Sequence, residues 1–364
     1  MVMGRRDGVA HSSWPIGASD LVGLGTQLGL SLSRVPFRRP WSGEGNLPHN
    51  LGVAVTRETI RSFMGYLTAL PIEEFRFVEL VLDDLSGAVL SPVVRSLDVE
   101  QEAGAVSGVP GIWYRRKGTE PAGTVLYLHG GGYVGTSPRM YAAFVAWLCR
   151  RTGCQVFVAD LRLAPEFPFP AGLEDAVLVM EGLLAGGTDP ARLFVAGDSS
   201  GGGLVASLMY SMQRTHHRPV AGVMLFSPEL DLLLDEASVS TNADRDILPW
   251  NMPTTAYLHG RDAGSAPVSG VNQDVSGWPP TFVSFGSDEM FRDAIRLFVT
   301  HLESAGVDTT SLEEPGMFHV FPILMPWAEG SRRAYRAVGE FVRSHLPEEA
   351  PVDQDGSATA SAAS

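Results

Sequence analysis

Residues 193–201 read Leu-Phe-Val-Ala-Gly-Asp-Ser-Ser-Gly. Four apolar residues run directly into a G-x-S-x-G pentapeptide, and the stretch behind it, Gly202-Gly203-Leu204-Val205-Ala206-Ser207-Leu208-Met209, reads as a helix. A serine on such a strand-to-helix turn is held in a strained backbone conformation with its Oγ above the sheet. Gly197 and Gly201, two before and two after the serine, are small enough to let the turn close. Only Ser199 fits this register, because Ser200 would need a glycine where Asp198 stands. Alone, the pentapeptide also suits a Gly/Ser loop that merely starts a helix, so its surroundings must decide.

Upstream, the strand-like run 124–128 is followed by His129-Gly130-Gly131-Gly132. A glycine run lets backbone N–H groups point into a cavity with no side chain in the way. Acyl transfer needs that arrangement, since negative charge develops on the carbonyl oxygen as it becomes tetrahedral. The expected donors are the amides of Gly131, Gly132 and Ser200, the last being the residue after the nucleophile. A phosphate-binding P-loop is excluded: no G-x-x-x-x-G-K-[ST] occurs, and Lys117 is the only lysine. His129 is read as bracing the glycine loop rather than transferring protons.

Downstream, residues 281–285 are apolar and β-like, and Gly286-Ser287-Asp288 closes them. Asp288 thus stands at the C-terminal end of a strand, a helix is expected over 289–305 and a short strand over 309–312. His319 lies just beyond, in Pro315-Gly316-Met317-Phe318-His319-Val320-Phe321. The order Ser199, Asp288, His319 matches the nucleophile, acid and base of an α/β-hydrolase. His319 would take the proton from Ser199, and Asp288 would fix the imidazole tautomer and stabilise the imidazolium. Asp288 also suits a helix N-cap, and Asp262, Asp274 and Asp293 are rival carboxylates, but none of those follows a strand end so directly.

With these motifs in place, the chain resembles the hormone-sensitive-lipase-like (bacterial family IV) carboxylesterases of the α/β-hydrolase superfamily, over about residues 100–346. The resemblance rests on His129–Gly132, Gly197–Gly201, Asp288 and His319-Val320-Phe321. It also rests on Asp160-Leu-Arg-Leu-Ala-Pro-Glu166 with Phe167-Pro-Phe-Pro170 and Leu173-Glu174-Asp175. It implies hydrolysis of short- to medium-chain acyl esters through a covalent acyl-enzyme, with no cofactor and no metal. Ser199, Asp288 and His319 would form the triad, and Gly131, Gly132 and Ser200 the oxyanion hole. It further implies a helical cap over the active site and is compatible with a homodimer. The chain departs from the pattern in Ser200 for alanine, in Leu161 and Phe167 for tyrosine and histidine, and in Asp288-Glu289-Met290 for Asp-Pro-Leu. Tyr133 and Phe318 would line the substrate cleft, as would cap residues such as Trp41 or Trp250; each equally suits ordinary core.

The expected fold is α/β: a mostly parallel, eight-stranded sheet flanked by helices, with a helical cap. Strands are expected at 97–103, 110–116, 124–128, 154–159, 192–196, 221–227, 281–286 and 308–312. Residues 1–95 read as an N-terminal helical cap region, 96–346 as the catalytic domain with 229–278 contributing a cap insertion, and 347–364 as a disordered tail. Pro71 opens a helix in the first part. Within it Phe75, Val78, Leu82, Leu85 and Val89 form one apolar face, expected to pack on the main domain and in part to line the acyl pocket.

A net charge of −14 over 364 residues argues against nucleic acid and anionic membrane as partners. The expected partner is a small-molecule ester. No run approaches the ~18 consecutive apolar residues of a spanning helix. The stretch 21–32 is broken by glycine and polar residues, so neither stable membrane insertion nor a signal peptide is expected; an interfacial helix there is the sharper alternative. Cys149 and Cys154 are poorly spaced for a disulfide and make no zinc site, which fits a reduced, cytoplasmic setting. Two other readings stay open: a non-catalytic small-ligand receptor on the same fold, against which His319 argues, and an amidase or lactonase using the same triad.

Overall fold

Three helices open the chain: α1 (Trp14–Arg34), α2 (Leu47–Leu67) and α3 (Ile72–Ser96). The computed structural model describes residues 9–42, 45–215, 220–249 and 254–348; Trp250 and the expected tail from residue 349 onward lie outside them. After α3 the order is β1 (Val99–Val106), β2 (Val109–Arg116), β3 (Thr124–Leu128), α4 (Ala142–Thr152), β4 (Gln155–Ala159), α5 (Ala171–Ala185), β5 (Leu193–Asp198), α6 (Ser199–Arg214) and β6 (Gly222–Phe226). Two short helices, α7 (Ala237–Thr241) and α8 (Thr254–Leu258), precede β7 (Thr281–Gly286). The last elements of the described residues are α9 (Arg292–Ser304), β8 (Thr309–Glu314), α10 (Phe321–Leu324) and α11 (Glu329–His345).

The eight strands form one sheet in the order β1-β2-β4-β3-β5-β6-β7-β8. Pairing is antiparallel for β1–β2 and β2–β4 and parallel from β4 through β8. Side chains alternate across the pleat, as strand geometry requires. Leu126, Leu128, Phe157, Val195 and Val223 face one layer, built with α5, α6 and α9. Val125, Tyr127, Val158, Phe194 and Met224 face the other, with α4 and α11. Burial of the central strands on both faces explains why their sequences read as continuous apolar runs.

The α3 stripe divides along its length. Phe75 and Leu82 line the main cavity, and Val78 is buried against α1 and α2. Leu85 and Val89 are more than half exposed, contrary to the expected packing. The helix outruns the cap layer there, and its second half buries a different face instead, with Leu90 and Val94 packed against the sheet layer of α4. Cys149 and Cys154 are buried free thiols whose burial raises their pKa values to about 12 and about 11.

Candidate active site

β5 ends at Asp198 and α6 begins at once with Ser199. Ser199 has φ 51°, a left-handed conformation that costs a non-glycine residue of order 1–3 kcal/mol. The turn closes this tightly because Gly201 lies against β3: a Cβ there would stand 2.1 Å from the Leu128 carbonyl oxygen. The strained serine, glycine neighbour and helix behind it are as the sequence pattern requires.

His319 meets this serine from the loop after β8. Its Nε2 lies 2.8 Å from Ser199 Oγ, and the ring sits edge-on to Phe291 at 5.0 Å. Its Nδ1 lies 3.1 Å from Glu289 Oε2. The carboxylate expected at this position was Asp288, and here the structure corrects the sequence reading. Asp288 turns outward, toward Arg57 Nη2 at 3.6 Å and Arg245 Nη1 at 3.8 Å. The cause is the tight turn after β7. The amides of Ser287 and Asp288 bond to the carbonyls of Glu314 and Met317, which directs the next residue inward. Glu289 is fully buried, and its Oε1 accepts the Gly286 N–H at 3.1 Å. No local signal separates Glu289 from Asp288, since the two are adjacent and both precede the apolar pair Met290-Phe291. Asp293 bonds the Ser238 amide and Arg292 instead.

Burial pushes the Glu289 carboxyl up, opposed by hydrogen bonds from the Ser227 hydroxyl and the Gly286 amide. Burial likewise pulls the His319 imidazole below its ordinary 6.5, against the attraction of Asp246 and Asp198. The base is therefore held neutral, with one nitrogen at the serine and the other at a carboxylate.

The glycine loop after β3 faces the same serine. Gly131 and Gly132 line the main cavity beside Ser199 and His319. Gly131 has φ 121°, and a Cβ there would lie 2.2 Å from the Gly135 carbonyl oxygen. Ser200 is the second residue of α6, where first-turn amides have no intrahelical acceptor; its side chain is buried and borders a separate small cavity behind the loop. His129 braces the loop, its Nδ1 3.0 Å from Thr136 Oγ1. A second brace was not foreseen. Asp198 accepts hydrogen bonds from the Tyr127 hydroxyl at 2.7 Å, the Tyr141 hydroxyl at 2.9 Å and the Gly130 amide at 3.0 Å. Burial raises this carboxyl to about 6, held down by those same three donors.

The cavity over Ser199 measures about 240 Å³. Ile60, Phe63 and Met64 of α2 and Phe75 and Leu82 of α3 wall one side, with Ile247 and Leu248 from the segment before α8. Tyr133 and Phe318, expected on this wall, are core residues instead. Tyr133 stacks on Tyr257 at 3.7 Å and borders the small second cavity, while Phe318 is fully buried within the sheet layer. Tyr133 immediately follows Gly132 and Phe318 immediately precedes His319, but the loops turn both inward. Trp41 is 65% exposed and off the cavity. Glu229, unforeseen, does line it, and burial beside Asp231 pushes its carboxyl up to about 8. Among the described residues, no group of three or more His, Cys, Asp or Glu could hold a metal ion, and no helix is long and apolar enough to cross a membrane.

Known proteins resemble this arrangement. Residues 125–323 match the alpha/beta hydrolase fold family model. The acetyl-hydrolase of Streptomyces hygroscopicus is 34% identical over 225 residues, 61% of this chain and 75% of that protein. An esterase of Acinetobacter venetianus is 30% identical over 60% of this chain and 74% of its own. Among solved structures, EstE5 soaked with ethyl alcohol superposes with a TM-score of 0.72 at 29% identity, covering 81% of this chain and 98% of that one. A hormone-sensitive lipase from a metagenome library gives 0.69 at 29% identity, over 79% and 99%.

Proposed function

The chain belongs to the α/β-hydrolase fold family and is a carboxylic ester hydrolase related to the hormone-sensitive-lipase esterases, and from that premise we propose that it hydrolyses short- to medium-chain acyl esters through an acyl-enzyme on Ser199. The observation that carries this reading is the relay of Ser199 Oγ, His319 Nε2, His319 Nδ1 and Glu289 Oε2, with contacts of 2.8 and 3.1 Å at the floor of an apolar cavity.

The ester carbonyl carbon sits over Ser199. Oγ attacks it and forms a C–O bond as His319 Nε2 takes the hydroxyl proton. Glu289 holds the Nδ1–H tautomer and stabilises the imidazolium without taking its proton. The amides of Gly131, Gly132 and Ser200 receive the negative charge on the carbonyl oxygen. As the tetrahedral intermediate collapses, the alkoxide leaves with the proton from Nε2. A water molecule, deprotonated by the same nitrogen, then attacks the acyl-enzyme and releases the acid. Of the cap regions 1–95 and 229–278, α2, α3 and the stretch 247–249 wall the acyl site, and 96–346 carry the chemistry.

The test is a p-nitrophenyl ester panel from acetyl to palmitoyl, run on the wild type and Ser199→Ala side by side. Activity peaking at short chains and lost in the variant is the expected result. Turnover retained by Ser199→Ala would overturn the mechanism. Ser200→Ala should change kcat by less than about threefold, since only its backbone is engaged.

A further inference from the structure

One buried carboxylate, distinct from the triad acid, grips both halves of the site from outside. Asp246 lies between α7 and α8 and is fully buried. Its Oδ1 accepts the His319 N–H at 2.9 Å and the Ile247 N–H at 2.7 Å, and its Oδ2 accepts the Met290 N–H at 2.7 Å. Three backbone amides on three segments thus converge on one side chain. One belongs to the base itself, and one to the residue directly after Glu289. Asn242, four residues earlier, completes the grip: its Nδ2 donates to the Ser287 carbonyl at 3.2 Å and the Glu289 carbonyl at 2.9 Å. It also accepts the Asp246 N–H on its own carbonyl at 2.9 Å.

We propose that Asp246 is a positioning residue for the esterase reaction, holding the backbones of His319 and of Glu289–Met290 in register and lending a further negative charge to the imidazolium formed in the transition state. The inference rests on the Ser199–His319–Glu289 reading. Donors to a carboxylate make charge-assisted bonds, and three of them fix its orientation. A relay of 2.8 and 3.1 Å contacts tolerates little displacement, because a 1 Å misplacement can cost about a hundredfold in rate. The charges that face the imidazole are Asp246 from the segment before α8, Asp198 from β5 and Glu289 after β7. The partly buried Arg57 guanidinium of α2 lies against the Asp288 and Asp246 side of this cluster. Ile247 and Leu248, the next two residues, line the cavity. One segment therefore shapes the acyl wall and aligns the base.

The experiment compares pH profiles of kcat and KM for p-nitrophenyl butyrate in wild type, Asp246→Asn and Asp246→Glu, with thermal melting to confirm folding. In Asp246→Asn, kcat should fall about 10- to 100-fold with KM within about threefold. The acid limb of kcat/KM should move to lower pH by about one unit, because a lost negative charge makes the proton on His319 less stable. Asp246→Glu keeps the charge and misplaces it, so kcat should fall while the acid limb stays at its wild-type position. A folded Asp246→Asn with an unmoved acid limb, or with raised KM and intact kcat, overturns the proposal. Should Asp246→Asn not fold, Asp246→Glu decides: lower kcat at unchanged KM supports it, and wild-type kcat overturns it. Failure of the esterase reading is distinguishable, since it would show as turnover surviving in Ser199→Ala.

Discussion

Adjacent carboxylates at 288 and 289 divide two tasks that either could perform chemically. Glu289 reaches the imidazole, and Asp288 pairs with the partly buried Arg57 and the exposed Arg245. Glu289→Gln should therefore lower kcat by about 10³- to 10⁴-fold, the scale seen when the orienting acid of a serine triad is neutralised, while Asp288→Asn should stay within about threefold. Steady-state kinetics on both variants decides between them, and the reverse ranking would restore Asp288 to the imidazole. The pH dependence follows from His319. Burial lowers its pKa, so the neutral, competent base persists to lower pH, and the acid limb of kcat/KM should fall below 6.5. A limb at or above 6.5 in a pH–rate profile would contradict that sign. Ser199 and His319 were legible in the sequence because each is fixed by its own surroundings, a glycine-flanked turn and a Phe-His-Val loop. The acid was not, because one residue of turn geometry separates two carboxylates, and that turn is set by amides bonding to Glu314 and Met317, which are remote in sequence.

At the level of elements, the strand-to-helix turn is the most constrained piece of the chain. It bonds to β3 on one side and carries the nucleophile on the other. Gly201→Ala would place a methyl group 2.1 Å from the Leu128 carbonyl oxygen, a backbone atom that cannot swing aside. The expected cost is at least about 2–3 kcal/mol, at the upper end of overpacking penalties, read as a lower urea midpoint. Gly187→Ala, in a loop with no neighbour within 4 Å, should cost less despite its positive φ. The eight strands were readable because central parallel strands are buried on both faces and lie between glycine- and proline-rich turns. Their observed limits differ from the expected ones by a few residues at most. Asp198 was not readable as a loop brace. Its role depends on Tyr127 of β3 and Tyr141 before α4 arriving beside it, a product of strand order that no local pattern carries. The lower half of the α3 stripe misled for a related reason: periodicity shows that a face is apolar, not how far its partner layer extends.

At the scale of the whole molecule, the acyl site belongs to neither the sheet nor the helical region alone. The sheet supplies Ser199, His319 and the glycine loop, and α2 and α3 supply the far wall. Arg57 of α2 ties that wall to Asp288 at the end of β7, and Arg61 of α2 donates to the Ala243 carbonyl three residues before Asp246. The helix that sizes the pocket thus rests on the segments that hold the acid and the base. Such a cavity should select chain length by exclusion at α2 rather than by changes at the nucleophile. Met64 lines the cavity from α2 and bears no part of the relay. Met64→Trp would fill space in a void of about 240 Å³ and leave the Ser199–His319 contact untouched. The loss should grow with the acyl chain, because each methylene that can no longer enter forfeits about 0.8 kcal/mol of burial. On p-nitrophenyl esters, kcat/KM for the octanoate should drop more than about tenfold, a step of about 1.4 kcal/mol or two excluded methylenes. The acetate, which needs only the floor of the site, should change by less than about threefold. Equal losses on both substrates would mean that the acyl chain does not run toward α2, and the lining segment of Ile247 and Leu248 would then be the one that sizes it.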